Sequence, residues 1–146
     1  MKTRRHEVSR MRIALPLSLL TLAFVVGCSG PAADLSALGD PAPKLVGHWA
    51  TDAGDQLYYG PVDAASGKGP YTLVHPDGKR FDHAYRLRGS LPARQAIEAT
   101  YLFADGDQAQ IGFVLSADGR TLTSTQDITG MQITSDAKRV DDRTAP

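Results

Sequence analysis

The chain has 146 residues, of which 42% are hydrophobic and 22% charged, with one cysteine and one tryptophan. This length fits a single globular domain, and the composition excludes both a low-complexity chain and a scaffold held by disulfides. Sixteen basic residues balance sixteen acidic ones. There is therefore no overall basic excess of the kind that binds phosphates, and no nucleic-acid partner is expected.

The first 27 residues have the pattern of a secretory signal peptide. Residues 1–12 contain five basic residues and one glutamate, and residues 13–26 read IALPLSLLTLAFVV without a charge. A membrane-spanning helix needs about 20 apolar residues, and Pro16 weakens a helix further, so a signal peptide over residues 1–27 is predicted. From Cys28 onward the chain has 11 basic and 15 acidic residues, a net charge of −4.

The residues around the single cysteine read Val25-Val26-Gly27-Cys28. This run resembles the lipobox of bacterial lipoproteins, in which the peptide is cut before the cysteine and the cysteine is acylated. The resemblance implies cleavage between Gly27 and Cys28, lipid on Cys28, and a membrane as partner. Two or three acyl chains anchor firmly, since each buried methylene contributes about 0.8 kcal/mol. Ser29 stands where an aspartate tends to retain Gram-negative lipoproteins in the inner membrane, so the outer membrane, facing the periplasm, is implied.

A spacer follows the cysteine. Residues 29–44 read SGPAADLSALGDPAPK and are mostly Ser, Gly, Pro and Ala. This composition predicts a flexible tether over residues 28–44, with ends about 20–25 Å apart. A short helix over Ala32–Leu38 is the alternative.

From Leu45 onward, apolar and polar residues alternate as they do in half-buried strands. The dipeptides Asp77-Gly78, Asp105-Gly106 and Asp118-Gly119 suit the tight turns between such strands. Because no amphipathic helix is available to cover an apolar sheet face, we expect an all-β domain over residues 45–146, a small antiparallel meander barrel. Seven or eight strands are predicted, at 45–51, 56–59, 71–75, 81–87, 97–103, 109–115, 121–126 and 131–134, the last extending toward 140. The predicted inner faces comprise Phe81, His83, Tyr85 and Leu87; Ile97, Ala99, Tyr101 and Phe103; and Ala109, Ile111, Phe113 and Leu115.

The first predicted strand contains Gly47-His48-Trp49. This Gly-x-Trp resembles the signature of lipocalins and lipocalin-like proteins, and it implies that the tryptophan closes the barrel floor. An eight-stranded barrel is either filled by side chains or holds one small ligand. We expect a filled lumen, because the inner faces carry several large rings. The candidate contact residues are Trp49, Tyr85 and Tyr101 for a small apolar ligand in the lumen, and Lys68 in the loop 60–70 for an envelope or host protein.

Residues for catalysis do not stand out. The G-x-S-x-G motif is missing, the single cysteine is expected to carry lipid, and Glu98 alternates with apolar neighbours, which places it on the outer face. His48, on the face opposite Trp49, is not close in sequence to His75 or His83, and metal ligands usually converge at short spacings. We therefore predict no catalytic residue, no metal site and no cofactor.

Three functions remain open. The first is a lipid-anchored envelope protein with a non-catalytic binding or scaffolding barrel. The second is an inhibitor of a cell-wall-degrading enzyme, because residues 66–71, SGKGPY, resemble a loop of lipid-anchored barrels that block lysozyme; those inhibitors usually have a disulfide, which one cysteine cannot form. The third, a metal-dependent hydrolase, has the least support.

Replacing Cys28 tests the anchor. Cys28→Ser removes the thiol that the lipid chemistry requires, so the variant should not incorporate radiolabelled palmitate and should leave the detergent phase. Wild-type protein that takes up no label, together with a variant that still partitions with membranes, would show that the lipoprotein interpretation is wrong.

Overall fold

The computed structural model describes residues 35–146. It contains a 3-10 helix, Ser36–Leu38, a short helix α1, Ala42–Leu45, a second 3-10 helix, Pro92–Arg94, and eight strands. The strands are β1 Gly47–Thr51, β2 Gln56–Tyr59, β3 Lys68–Val74, β4 Arg80–Leu91, β5 Ala96–Leu102, β6 Gln108–Leu115, β7 Thr121–Ile128 and β8 Met131–Asp141. No helix within residues 35–146 is long and apolar enough to cross a membrane.

The eight strands form a closed antiparallel barrel in chain order, with β8 pairing back onto β1. Closure is made by pairs such as Thr51 with Ala137 and Trp49 with Arg139. This confirms the predicted all-β meander barrel and gives the strand number as eight. Five strands are longer than predicted: β3 begins at Lys68, β4 reaches Leu91, β6 begins at Gln108, β7 reaches Ile128 and β8 reaches Asp141. The first strand begins later than predicted, at Gly47, because Leu45 ends α1.

The predicted Asp-Gly turns form three of the hairpin connections. Gly78, Gly106 and Gly119 have φ values of 82°, 94° and 69°, a region that L side chains rarely adopt. In each turn the preceding aspartate accepts a 3.0 Å hydrogen bond from the backbone N–H two residues later. The aspartate thus stabilises the turn that the glycine permits.

The core fills the inside of the barrel. Its largest fully buried side chains include Trp49, Tyr59, Tyr85 and Phe113, none more than 1% exposed. The middle of each predicted inner face is buried as expected: Tyr85; Ile97, Ala99 and Tyr101; Ile111, Phe113 and Leu115. Four residues are less covered, and all lie near the end of the barrel where β4 and β6 begin: Phe81 is 38% exposed, and His83, Phe103 and Ala109 are half-buried. Leu87 is half-buried as well.

Residues 35–45 pack against one end of the barrel, although the sequence suggested a free tether there. Leu45 is completely buried, and the Leu35 N–H donates to the Ala93 carbonyl at 3.1 Å. The buried Gln95 side chain donates to the Gly39 carbonyl at 2.9 Å and accepts from the Lys44 ammonium at 3.1 Å. These bonds involve mainly backbone carbonyls, so the apolar pattern of the segment does not reveal them. Residues 28–34, the rest of the predicted tether, lie outside the described residues, as do Gly27 and the signal peptide.

We call the end at which β1, β3, β5 and β7 begin the proximal end, because the N-terminal segment lies there, and the opposite end the distal end.

Substitutions of two residues on β5, Tyr101 and Glu98, test the assignment of inner and outer faces. Tyr101 is 6% exposed, whereas Glu98 is exposed. Tyr101→Asp removes a packed ring and places a charge in the core, so we expect a loss of about 4 kcal/mol or more in the free energy of unfolding. Glu98→Lys should change it by less than about 0.5 kcal/mol. Urea unfolding of both variants measures this, and equal tolerance at the two positions would contradict the face assignment.

Candidate functional site

Four tyrosines occupy the middle of the barrel. The Tyr71 ring stacks on Tyr101, with ring centroids 4.6 Å apart and an angle of 5° between the planes, and on Tyr59 at 4.9 Å. The hydroxyls of Tyr59 and Tyr101 form a hydrogen bond of 2.5 Å. Tyr85 packs edge-on to Tyr59 at 5.6 Å, and its hydroxyl donates to the Gly60 carbonyl at 2.7 Å. We call Tyr59, Tyr71, Tyr85 and Tyr101 the tyrosine cluster.

Burial keeps the tyrosine cluster neutral. Removal from water raises the pKa of Tyr71 and of Tyr85 to about 12. The same loss of hydration raises the pKa of Tyr59 and Tyr101 well above the usual value of a phenol. Near neutral pH the cluster therefore provides packing and internal hydrogen bonds, and no phenolate is available as a base.

Trp49 and Arg139 close the proximal end. The Trp49 indole N–H donates to the Leu45 carbonyl at 2.9 Å, and the Arg139 guanidinium lies over the indole, 5.0 Å from its centroid. Arg139 also donates to the carbonyls of Lys44 and Val46, each at 2.9 Å. A Cβ at Gly47 would lie only 2.9 Å from the guanidinium. The glycine of Gly-x-Trp therefore leaves room for the arginine.

Three of the four predicted contact residues lie inside the barrel. Trp49, Tyr85 and Tyr101 are 0%, 1% and 6% exposed. A ligand in the middle of the barrel could reach Trp49 and Tyr101 only by displacing the side chains that pack on them. Tyr85 lines a cavity of about 460 Å³ at the proximal end, together with Val46, Val62 and Leu87. Trp49 is where the Gly-x-Trp resemblance expected it, at a closed end. The three residues fill the lumen together with Tyr59, Phe113 and the rest of the core.

Lys68 is exposed, but it does not lie at a loop tip. It is the first residue of β3 and pairs with Arg86 of β4. The irregular loop is consequently residues 60–67. The next residue, Gly69, could not carry a side chain, because a Cβ there would lie 2.5 Å from the Tyr85 ring. Tyr71, the last residue of the loop that resembles lysozyme inhibitors, is a core residue at 6% exposure.

The histidines of the barrel occupy separate places. His48 faces away from the core, and its ring stacks on Tyr58 at 4.3 Å, with Nε2 2.6 Å from the Gln56 side-chain oxygen. His75 Nδ1 lies 2.6 Å from a carboxylate oxygen of Asp55. His83 packs edge-on to Phe103 at 5.1 Å. Within residues 35–146, no group of three His, Cys, Asp or Glu side chains converges in a way that could hold a metal ion.

Sequence reasoning missed Arg139 and the exposed basic residues of β4. Arg139 follows Lys138 in a polar stretch, so it looks like a solvated charge, and only barrel closure brings it over Trp49. Arg86 and Arg88 alternate with Tyr85 and Leu87 of the predicted inner face, so the same alternation could have placed them on the outer face. The sequence did not indicate that Lys68 lies beside these arginines, because Lys68 was assigned to the loop 60–70 and not to a strand.

No protein-family model matches this chain, and no curated protein matches it either.

The tyrosine cluster should make the fold sensitive to alkali. A phenol whose pKa is higher in the folded than in the unfolded chain stabilises the fold fully below about pH 10 and loses that contribution as the pH rises toward 12. We expect the free energy of unfolding to fall there by about 1.4 kcal/mol per pH unit for each such tyrosine. Tyrosinate absorbance and circular dichroism, recorded in one titration, should show the cluster ionising only as the barrel unfolds. Ionisation of all five tyrosines near pH 10 with the barrel intact would contradict this.

Proposed function

We propose that this protein is a lipid-anchored protein of the bacterial envelope whose barrel acts by non-catalytic binding, through its outer surface and not through its lumen. The observation that carries the second part is the filled middle of the barrel. Trp49, Tyr59, Tyr85 and Phe113 are each at most 1% exposed, and the tyrosine hydroxyls bond to one another and to a backbone carbonyl.

The anchor rests on the lipobox resemblance at Cys28 and on the signal-peptide pattern before it. The way residues 35–45 attach to the barrel supports this part of the proposal. Because Leu35 is bonded to Ala93, the chain meets the barrel at its proximal end. A lipidated Cys28, seven residues earlier, could then lie at most about 25 Å from Leu35 along an extended chain.

Binding is favoured over catalysis because the polar side chains of the barrel form structural hydrogen bonds. The interior hydroxyls belong to neutral tyrosines, and the carboxylates of Asp77, Asp105 and Asp118 cap turns. A small rigid barrel held at the membrane is suited to presenting a surface to a partner, and the resemblance to lipocalin-like barrels agrees with such a role. The partner that we propose for this surface is an envelope or host protein.

Inhibition of lysozyme gains no further support from the geometry. The tyrosine of the loop that suggested it, Tyr71, stacks between Tyr59 and Tyr101 inside the barrel. That side chain could not contact an enzyme without opening the core.

Trp49 fluorescence tests whether the lumen takes a ligand. Because the indole is fully buried and packed by Arg139, we expect its emission to remain unchanged when a long-chain fatty acid is added to the purified protein. A parallel titration with a panel of lysozymes should leave their activity unchanged. Saturable micromolar binding of the fatty acid with a shift of Trp49 emission would place the function in the lumen, and stoichiometric inhibition of a lysozyme would favour the second function.

A further inference from the structure

The two ends of the barrel differ in charge. The distal connections, residues 52–55, 75–79, 103–107 and 129–130, contain five aspartates and one lysine: Asp52, Asp55, Asp77, Asp105, Asp107 and Lys79. The proximal connections, residues 60–67, 92–95 and 116–120, contain as many basic as acidic residues: Arg94, Arg120, Asp63 and Asp118. The domain has an excess of acidic residues, and this excess is concentrated in the connections at the distal end.

One outer wall near the proximal end carries a group of basic side chains. Lys68 and Arg86 lie side by side as a cross-strand pair, with Arg88 two residues further along β4 and Arg94 in the 3-10 helix that follows. All four are exposed, and none forms an ion pair with another residue of the segment 35–146. Like charges placed opposite each other on a sheet repel, so this arrangement costs stability unless an anion offsets it.

Exposed apolar side chains lie nearer the proximal end than Lys68 and Arg86. Leu91 lines a groove with Arg94, and in the sheet register Glu98 lies between Arg86 and Val114. Leu91 pairs with Ala96, and Ala96 pairs with Val114 on the next strand, so the three lie in one row across the outer face. Leu91 is 52% exposed and Val114 is 48% exposed. Exposed apolar groups bordered by Lys and Arg are typical of surfaces that lie in a membrane interface. We call Lys68, Arg86, Arg88, Leu91, Arg94 and Val114 the proximal wall.

We propose that the proximal wall docks on the headgroups of anionic phospholipids, with Leu91 and Val114 entering between them. The inference rests on the proposed anchor, because seven residues from Cys28 keep Leu35 within about 25 Å of the bilayer surface. Electrostatic attraction reaches about 10 Å at 0.1 M salt, so the wall comes into its range whenever the tethered barrel approaches the bilayer. Two acidic residues lie nearby, Glu98 opposite Gly89 and Asp63 in the loop, and the four basic residues outnumber them.

Docking fixes the orientation of the barrel. With the proximal wall against the bilayer, the acidic distal turns face away from it, toward the proteins of the surrounding compartment. The charge distribution favours this orientation over the reverse one, since the distal aspartates would be repelled by anionic lipids.

Two variants of the mature lipoprotein measure docking, each with one added cysteine besides Cys28, whose thiol is blocked by the lipid in the proposed anchor. Val114→Cys places a label on the wall, and Met131→Cys, at a position 64% exposed, places one at the distal end. Each protein is labelled with an environment-sensitive fluorophore and reconstituted into vesicles of phosphatidylcholine alone or with phosphatidylglycerol. We expect a blue shift for the Val114 label only, in anionic vesicles only, and its loss in high salt.

Charge-reversal variants show whether the cations cause the shift. Arg86→Glu with Arg88→Glu should abolish it, whereas Lys79→Glu with Arg80→Glu, an equal change of charge at the distal end, should leave it intact. Vesicle flotation reports anchoring separately. A protein that fails to float refutes the proposed anchor. A protein that floats but shows the same emission from both labels, or a shift that survives the Arg86 and Arg88 reversal, refutes the docking proposal.

Discussion

The packing of aromatic rings inside the barrel is the constraint on which the rest of the structure depends. A closed sheet of eight strands has an interior just wide enough for side chains, and Tyr59, Tyr71, Tyr101 and Phe113 fill its middle. Burying a tyrosine costs free energy unless its hydroxyl forms a hydrogen bond. The bond between Tyr59 and Tyr101 and that from Tyr85 to Gly60 meet this need. The result is a closely packed interior whose polar groups are paired.

At the proximal end, where the strands stop, residues from other parts of the chain cover the core. Trp49 would be open to water there, but Arg139 lies over one side of it and the segment 35–45 covers the end. Arg139 donates to the carbonyls of Lys44 and Val46, which ties the first and last parts of the domain together. The attachment point of the chain is therefore built into the core, and a tether to a membrane would hold the barrel by this end.

The barrel could be predicted from sequence, because alternation has a period of two and burial on one face follows from it directly. The same pattern predicted which residues of β5 are in the core: Ile97, Ala99 and Tyr101 are buried and Glu98 is not. The docked segment 35–45, the position of Arg139 and the strand assignment of Lys68 could not be predicted. Each depends on backbone carbonyls or on contacts between residues far apart in the chain, which leave no periodic signal. His48 is similar: its outward direction was predicted, but not its burial to 4% exposure under Tyr58, Gln56 and Asp141.

Surface binding, as proposed, requires that the lumen be filled by side chains. A crystal structure determined under xenon pressure tests this directly, because xenon enters apolar cavities that are empty but does not enter a close-packed interior. We expect no xenon between Trp49 and the tyrosine cluster. An ordered xenon atom there, with the rings of Tyr59 and Tyr101 unmoved, would show an empty cavity in the lumen and would contradict a filled interior.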